Sequence, residues 1–425
     1  MTIGTIEKPV AVEKQQFWAI LTIVFLGFIG LSISYLIFPS LFLNQASPLL
    51  PQNCSDATRA VCLGLAFAAY PLGTFFGSPL LGALADAYDR KHLLTISLIV
   101  TGCTDLLIGV AIAKQHLGMF LVSLVASGII GGSIVTLARA MAANFKTIPK
   151  HATFGKIAAV KSIAYVIGPV IGGLMTSNRF FSLRAVFVPF FFTGTLFFIL
   201  ALVSVVMLQK SGRHASDPEH TVWKRLNFIR RAKTLLRNKH LKFLMLASTS
   251  FAIAVDMFYE FGPVYLTVKW SLIPAQLIIY NTFLCIGLAI GTGFLPQLFA
   301  NRSSRLSIVC TIWGFAFIVV LIALTNSSLL MPVLFGVAGV VIGLAETLLI
   351  VRISDCVPEA IQGEIIGMQQ SMIILGDCFT SLLGGVLLIL SSKIILLFAA
   401  LLSIATMLYY RRDWKALDTK VSADP

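Results

Sequence analysis

Acidic side chains stand inside long apolar stretches of this chain, where an ionised carboxylate is costly. Asp256 and Glu260 are four residues apart, so on a helix they share one face. Two carboxylates so close in a low-dielectric setting cannot both ionise cheaply, so one is expected to exchange a proton near neutrality. Asp105, Glu346 and Asp377 also lie in apolar stretches. These five acids are candidates for proton coupling; for each, the alternative is a structural ion pair or hydrogen bond.

Two basic residues and several polar side chains share the apolar stretches and are candidates for substrate binding. Arg139 and Lys161 each lie about one turn inside the end of a stretch. Together they could attract an anionic substrate or neutralise an acid, or their side chains could snorkel to the membrane interface. The other candidates carry a phenol or an amide group: Tyr35, Tyr165, Tyr259, Asn281 and Gln369.

The elements that must position these residues are predicted to be membrane-spanning helices. The 425 residues are 57% hydrophobic and 12% charged, about half the charged fraction of a soluble domain. About 20 apolar residues span a bilayer as a helix, and twelve runs are long enough. The runs are 17–43, 62–84, 92–113, 118–144, 157–177, 185–208, 242–267, 275–299, 306–326, 329–351, 364–391 and 393–411.

Basic residues set the predicted orientation of the chain. With both termini in the cytoplasm, 24 of the 32 Lys and Arg fall in cytoplasmic segments, as the positive-inside rule requires. The net charge of +14 is therefore a topological signal, and nucleic-acid binding is not expected because no separate basic domain exists. The first run is too long for a cleaved signal peptide. We expect an integral protein of a bacterial inner membrane, in contact with lipid, with a monomer as the default.

A polar stretch at 209–241 divides the chain into an N-terminal bundle, 1–208, and a C-terminal bundle with a short cytoplasmic tail, 242–425. The stretch is either a solvated linker or, in its second part, an amphipathic helix on the inner membrane surface. A weak internal alignment pairs Gly77 with Gly291, each near the end of the second run of its half. This repeat indicates two related six-helix units.

The sequence shows none of the usual residue patterns of enzymes. The seven cysteines form no metal pattern, and the sequence contains no phosphate loop, zinc site or nucleophile elbow. We therefore expect no metal, no cofactor and no enzyme, and ATP-driven pumping by this chain alone is disfavoured. Cys54 and Cys62 flank the first external segment, where both free thiols and a disulfide are compatible with periplasmic exposure.

The string GALADAYDRK between the second and third runs resembles the loop between helices 2 and 3 of the major facilitator superfamily, G-x-L-A-D-x-x-G-R-K. Gly82, Asp86, Arg90 and Lys91 match this pattern, whereas Asp89 replaces a glycine. The resemblance implies an all-α membrane fold of twelve transmembrane helices in two pseudo-symmetric six-helix bundles. It also implies that the four matching residues form a cytoplasmic gate.

A pattern of small residues in the fifth run resembles the helix 5 motif of drug–proton antiporters in that superfamily. Its members are Gly155, Gly168, Pro169, Gly172 and Gly173. Small residues spaced by four allow close helix packing, and proline favours a bend. The string VPEAIQGEIIG at the start of the eleventh run is similar to a segment of tetracycline exporters.

These resemblances imply a proton-coupled exporter of small organic or drug-like molecules that works by alternating access. The arginine and the acid usual around helix 4 of that branch are replaced by Leu124 and Asn144, so Asp256 and Glu260 become the leading proton carriers. One alternative is a transporter of an anionic metabolite such as a carboxylate, an amino acid or a carboxylate siderophore. Another is a membrane sensor without flux.

Overall fold

The protein is described from a computed structural model that covers residues 7–45, 49–132, 134–142, 150–176, 186–209, 239–296, 304–356 and 359–417. Over these residues the chain forms helices and no strand. Eleven helical stretches in this part of the chain are long and apolar enough to cross a membrane, and Ile163–Met175 is a shorter apolar helix. The prediction of an all-α, twelve-helix membrane protein is confirmed.

The helices are numbered in chain order. They are α1 (Glu7–Ser32), a 3-10 turn (Ile33–Leu36), α2 (Phe38–Leu43), α3 (Asp56–Ala87), α4 (Arg90–Ala113), α5 (Leu117–Gly131), α6 (Ile134–Ala142), α7 (Lys150–Met175), α8 (Val188–Met207), α9 (Lys239–Trp270), α10 (Pro274–Gly293), α11 (Ser304–Leu324), α12 (Leu330–Asp355), α13 (Glu359–Leu390) and α14 (Ser392–Leu417).

The first predicted span differs from the structure, because its single run of 17–43 is divided. The hydroxyl of Ser32 donates to the carbonyl of Phe28 at 2.7 Å at the end of α1. A 3-10 turn follows, and α2 then begins with Pro39 in its first turn. Proline has no amide hydrogen to continue a preceding helix, and the first turn of a helix is where it is best accommodated. The apolar run predicts burial here but not the break.

The chain forms two compact units. Unit 1 comprises Met1–Ser55, Ala69–Phe228 and Ile273–Ala275, and unit 2 comprises Asp56–Ala68, Ile229–Leu272 and Gln276–Pro425. The first half of α3 therefore belongs to unit 2. The predicted cytoplasmic linker falls almost entirely on residues 210–238, which lie outside the described part of the chain.

Glycines bring two helices into backbone contact in each unit. In unit 1, a Cβ on Gly77 of α3 would overlap the carbonyl oxygen of Ile129 of α5. In unit 2, a Cβ on Gly291 of α10 would overlap the carbonyl oxygen of Val340 of α12. Gly77 and Gly291 are the two glycines that the internal alignment pairs. The same device thus joins α3 to α5 and α10 to α12, because only a residue without a side chain permits this approach.

Candidate functional site

Carboxyl groups on neighbouring helices of unit 2 meet at Glu260. This residue is 4% exposed, and its two carboxylate oxygens accept from the hydroxyl of Ser381 on α13 at 2.7 and 2.8 Å. Asp377, one turn before Ser381, shares a side-chain hydrogen bond with Glu260. A hydrogen bond between two carboxyl groups requires a proton on one of them, since an ionised carboxylate only accepts. With this arrangement the α9–α13 contact can hold a proton.

Two further acids extend this group. Asp256 lies one turn before Glu260 on α9, and its Oδ2 is buried with no hydrogen-bond partner among the described residues. It interacts electrostatically with Asp377 and with Glu346 of α12. We call Asp256, Glu260, Glu346 and Asp377 the acid cluster. The structure brings together four of the five acids that the sequence singled out.

The charges that act on Asp256, Glu260 and Asp377 are other acids. Within the described part of the chain, no basic group is among them. The buried carboxylate of Glu260 and the half-buried carboxylates of Asp256 and Asp377 cannot all be ionised cheaply, because they repel one another and Glu260 also carries a cost of desolvation. The acid cluster can lower this cost by taking up protons or by binding a cation.

Asp105 lies in unit 1 and has a different environment. It is 6% exposed on α4, and its carboxyl group forms hydrogen bonds with the hydroxyls of Thr193 on α8 and Ser127 on α5. It also interacts electrostatically with Tyr70. These hydroxyls join three helices around one acid, an arrangement that fits the structural alternative for Asp105.

Two of the polar residues predicted to bind substrate lie beside the acid cluster. Tyr259 is half-buried on α9 and interacts with Glu346 and Asp256. Asn281 of α10 is half-buried, and its Nδ2 has no hydrogen-bond partner among the described residues. It lies one turn before Cys285, which interacts with Tyr259. The phenol and the amide therefore supply polar groups on α9 and α10 near the acids.

Gln369 joins two helices. It is 3% exposed on α13, and its Nε2 donates to the hydroxyl of Ser248 on α9 at 2.6 Å. This bond makes Gln369 part of the α9–α13 contact that also holds Glu260. Tyr35 belongs to the 3-10 turn, and its side chain lies outside the described residues.

The two basic candidates in unit 1 have different surroundings. The Nζ of Lys161 lies 5.2 Å from the centre of the Phe28 ring and 5.5 Å from that of Tyr165. Those two ring centres are 5.4 Å apart, so the ammonium group is held by cation–π contacts. Arg139 has an exposed side chain in the last turn of α6, as the snorkelling alternative requires.

The first residues of α4 contact the ends of two other helices of unit 1. The Nη1 of Arg90 donates to the carbonyl of Ala140 in the last turn of α6. The Nζ of Lys91 donates to the carbonyl of Val205 in the last turn of α8, at 2.8 Å. Carbonyls in a last turn have no partner within their own helix, and the helix dipole favours cations there. Arg90 and Lys91 therefore fasten α4 to α6 and α8.

Asp89, the departure from the superfamily pattern, begins α4. It is the N-cap residue with extended backbone, and its Oδ1 accepts from the backbone amide of Lys91 at 2.9 Å. Its Oδ2 lies 3.4 Å from Nδ1 of His92. The gate residues Gly82 and Asp86 lie in α3, and their side chains are outside the described residues.

Replacing Asp89 by alanine should lower the free energy of unfolding by about 1 kcal/mol, because an amide at the start of α4 loses its acceptor. Asp89→Gly, which introduces the residue of the superfamily pattern, should lower the free energy of unfolding by only about a few tenths of a kcal/mol. Thermal unfolding of the purified protein in detergent would measure both. Equal destabilisation by the alanine and glycine variants would contradict the capping role.

The helix 5 pattern packs α7 directly against the end of α1. A Cβ on Gly168 would lie 2.6 Å from the carbonyl oxygen of Ile29. A Cβ on Gly172 would overlap the carbonyl oxygen of Ile33. Within unit 1 the pattern is thus a contact between two backbones.

The other members of the predicted motifs are only partly described. Pro169 lies inside α7, and Gly173 is buried. The surroundings of Gly155 lie outside the described residues, as do residues 357–358 at the start of the exporter-like string.

Ser381 is a site residue that sequence reasoning missed. A serine in a transmembrane helix usually bonds its own backbone, so its type alone gives no signal. Its spacing of four from Asp377 places both side chains on one helix face. This spacing was the available clue.

Comparisons with known proteins identify the family of this chain. The model of the Major Facilitator Superfamily matches residues 20–307. Multidrug resistance protein 2 of Bacillus subtilis is 26% identical over 239 residues, which cover 55% of this chain and 53% of the relative. Quinolone resistance protein NorA of Staphylococcus aureus is 25% identical over 199 residues, which cover 46% and 45%. The chain thus matches about half the length of these curated relatives.

The fold is also similar to a crystal structure of a D-xylose–proton symporter. The TM-score is 0.69 at 13% sequence identity, covering 93% of this chain and 97% of the other. At this identity the likeness concerns the fold alone. The family match covers more than half of the chain. The protein therefore belongs to the major facilitator superfamily of membrane transporters.

Proposed function

We propose that this transporter exports small organic, drug-like molecules, with a preference for cations, in exchange for protons. The hydrogen bond between Glu260 and Asp377 carries the proposal, because two carboxyl groups can share it only while one holds a proton. The remaining acids, Asp256 and Glu346, add negative charge beside this pair.

Competition between a proton and a cation for the same carboxyl groups provides the coupling. A cationic substrate near Asp256 would favour ionisation of the acid cluster and release of a proton. A proton taken up later would neutralise the cluster and weaken its hold on the cation. Asp256 suits this exchange, since its Oδ2 is buried without a partner in the described structure.

The names of the relatives support drug export, because one is a multidrug and the other a quinolone resistance protein. The same proposal assumes an inner-membrane monomer with both termini in the cytoplasm. It includes alternating access with a cytoplasmic gate, to which Arg90 and Lys91 contribute through their contacts with α6 and α8.

Purified protein in liposomes tests the proposal. With an imposed pH gradient, we expect accumulation of a cationic aromatic dye such as ethidium in the more acidic compartment and a matching proton flux out of it. An encapsulated pH dye would report the protons. Dye movement that persists unchanged after a protonophore collapses the gradient would contradict proton exchange.

The alternative of an anionic substrate rests on Lys161. Its ammonium group lies beside the Phe28 and Tyr165 rings of unit 1, a setting in which an aromatic carboxylate could bind. A panel of polycarboxylates in the same liposomes separates the two functions, since only this alternative requires their transport. Binding without flux for every probe would instead favour the sensor.

A further inference from the structure

We propose that Ser381 is a positioning residue that sets the pH at which Glu260 takes up its proton. The proposal includes a link through α13, whose backbone contacts the first half of α3, so that protonation of Glu260 also affects α3. The proposal rests on the proposed function and concerns the control of its proton site. It is carried by three hydrogen-bond distances and by one helix contact, all within unit 2.

The hydroxyl of Ser381 has one hydrogen and three acceptors within reach. They are the two carboxylate oxygens of Glu260, at 2.7 and 2.8 Å, and the backbone carbonyl of Asp377, at 2.9 Å. When Glu260 is ionised, the hydrogen points to the carboxylate, because a charged acceptor forms the stronger bond. When Glu260 is protonated, its carboxyl group is neutral and a weaker acceptor, so the serine hydrogen can turn to the backbone carbonyl of Asp377. The protonation state of Glu260 therefore selects between two arrangements.

The ionisable groups facing Glu260 come from several helices. Asp256 lies on its own helix, and α13 contributes Asp377 and Cys378. From α12, Glu346 acts on Asp256. Among the described residues, α14 and the first half of α3 contribute no titratable group that acts on Glu260. Ser381 is thus the one hydroxyl that donates to Glu260 in this part of the structure.

The backbone of Ser381 also touches α3. A Cβ on Gly64 would lie 2.7 Å from the carbonyl oxygen of Ser381 and 2.8 Å from the Cα of Gly385. No side chain separates these backbones, and close-packed atoms cannot absorb a displacement by compression. A movement of α13 that makes or breaks the hydrogen bond between Ser381 and Glu260 must therefore also displace α3.

Next to this backbone contact, aromatic rings also join α9, α13 and α3. Phe261 follows Glu260 in the chain, and its ring centre lies 5.8 Å from that of Phe67 on α3. A Cβ on Gly384 of α13 would overlap the Phe261 ring. Phe261, the residue after Glu260 on α9, thus contacts both α3 and α13.

The first test is the pH dependence of ethidium transport in liposomes by Ser381→Ala. Loss of the hydroxyl removes a donor that stabilises ionised Glu260, so Glu260 should hold its proton up to a higher pH. We expect the pH of half-maximal transport to rise by about one unit or more, given the usual strength of a hydrogen bond to a charged group. Ser381→Thr keeps the hydroxyl and should restore the wild-type midpoint.

Ser403→Ala is the matched control. Ser403 is also a fully buried serine of unit 2, but its hydroxyl donates to the backbone carbonyl of Ile312 at 2.9 Å. This variant should change stability without moving the midpoint. Should Ser381→Ala not fold, Ser381→Cys retains a weak donor of similar size and should shift the midpoint less, in the same direction.

The link to α3 has its own test. Gly64→Ala places a methyl group against the Ser381 carbonyl and should raise the midpoint by pushing the hydroxyl away from Glu260. Gly367→Ala on α13 is the control, because no atom lies within 4 Å of a Cβ there. An unshifted midpoint in Gly64→Ala would overturn the link, and an unshifted midpoint in Ser381→Ala would overturn the positioning role. Transport with no proton dependence at all would instead overturn the proposed function.

Discussion

Combined replacement of Asp256 by asparagine and Glu260 by glutamine should reduce proton-dependent transport to the level of empty liposomes. The two amides keep the size of the side chains but cannot exchange a proton in this pH range. Both acids must be changed, because Asp256 and Glu260 act on each other and either one could hold the proton when the other is replaced. Ethidium movement driven by an imposed pH gradient is the measurement.

Asp105→Asn provides the matched control for this experiment. It is also a buried acid-to-amide change, but in unit 1, where the carboxyl group forms hydrogen bonds with the hydroxyls of Thr193 and Ser127. We expect proton-dependent transport to survive this change. Retained proton dependence in the double variant would show that the acid cluster does not carry the proton. Loss in Asp105→Asn alone would move the assignment to unit 1.

Gly291→Val should be among the most destabilising single changes in unit 2. A side chain at this position would overlap the backbone of Val340, so α10 and α12 would have to separate along their contact. Overpacking of this kind usually costs about 1–3 kcal/mol, and here the obstacle is backbone and cannot rotate away. The midpoint of thermal unfolding in detergent and the yield of folded protein would both fall.

The control for this prediction is two residues away on the same helix. Gly293 has no atom within 4 Å of a Cβ, so Gly293→Val changes helix propensity and side-chain size at a site with free space. Its unfolding midpoint should stay close to that of the wild type. Similar losses in the two valine variants would show that close approach of α10 and α12 is not what Gly291 provides.

The sequence predicts the fold well because the bilayer imposes a strong constraint. Every backbone polar group must bond within its own helix, so a long apolar run has almost no alternative structure. The acids stand out for the same reason, since a carboxylate in such a run is costly. The break after Ser32 was not predicted, because a hydroxyl bonded to its own helix leaves the apolar pattern unchanged.

The arrangement around the acids could not be read from the sequence. In a run that is apolar on all sides, periodicity does not fix the rotation of the helix, and therefore does not show which residues face one another. Ser381 is typical, because its partner Glu260 is 121 residues away in the chain. The aromatic surroundings of Lys161 were missed for a related reason, as Phe28 was one phenylalanine among 32.

The glycine contact between α10 and α12 has a consequence for the shape of the acid cluster. Because these two backbones touch, the helices that carry Asn281 and Glu346 form one rigid pair. At α13, by contrast, Gly376 and Gly384 receive side chains of α9, those of Ile253 and Phe261. The α10–α12 contact is thus backbone against backbone, and we expect these two helices to move as one unit, so that an adjustment of the acid cluster to a proton occurs at α9 and α13 instead.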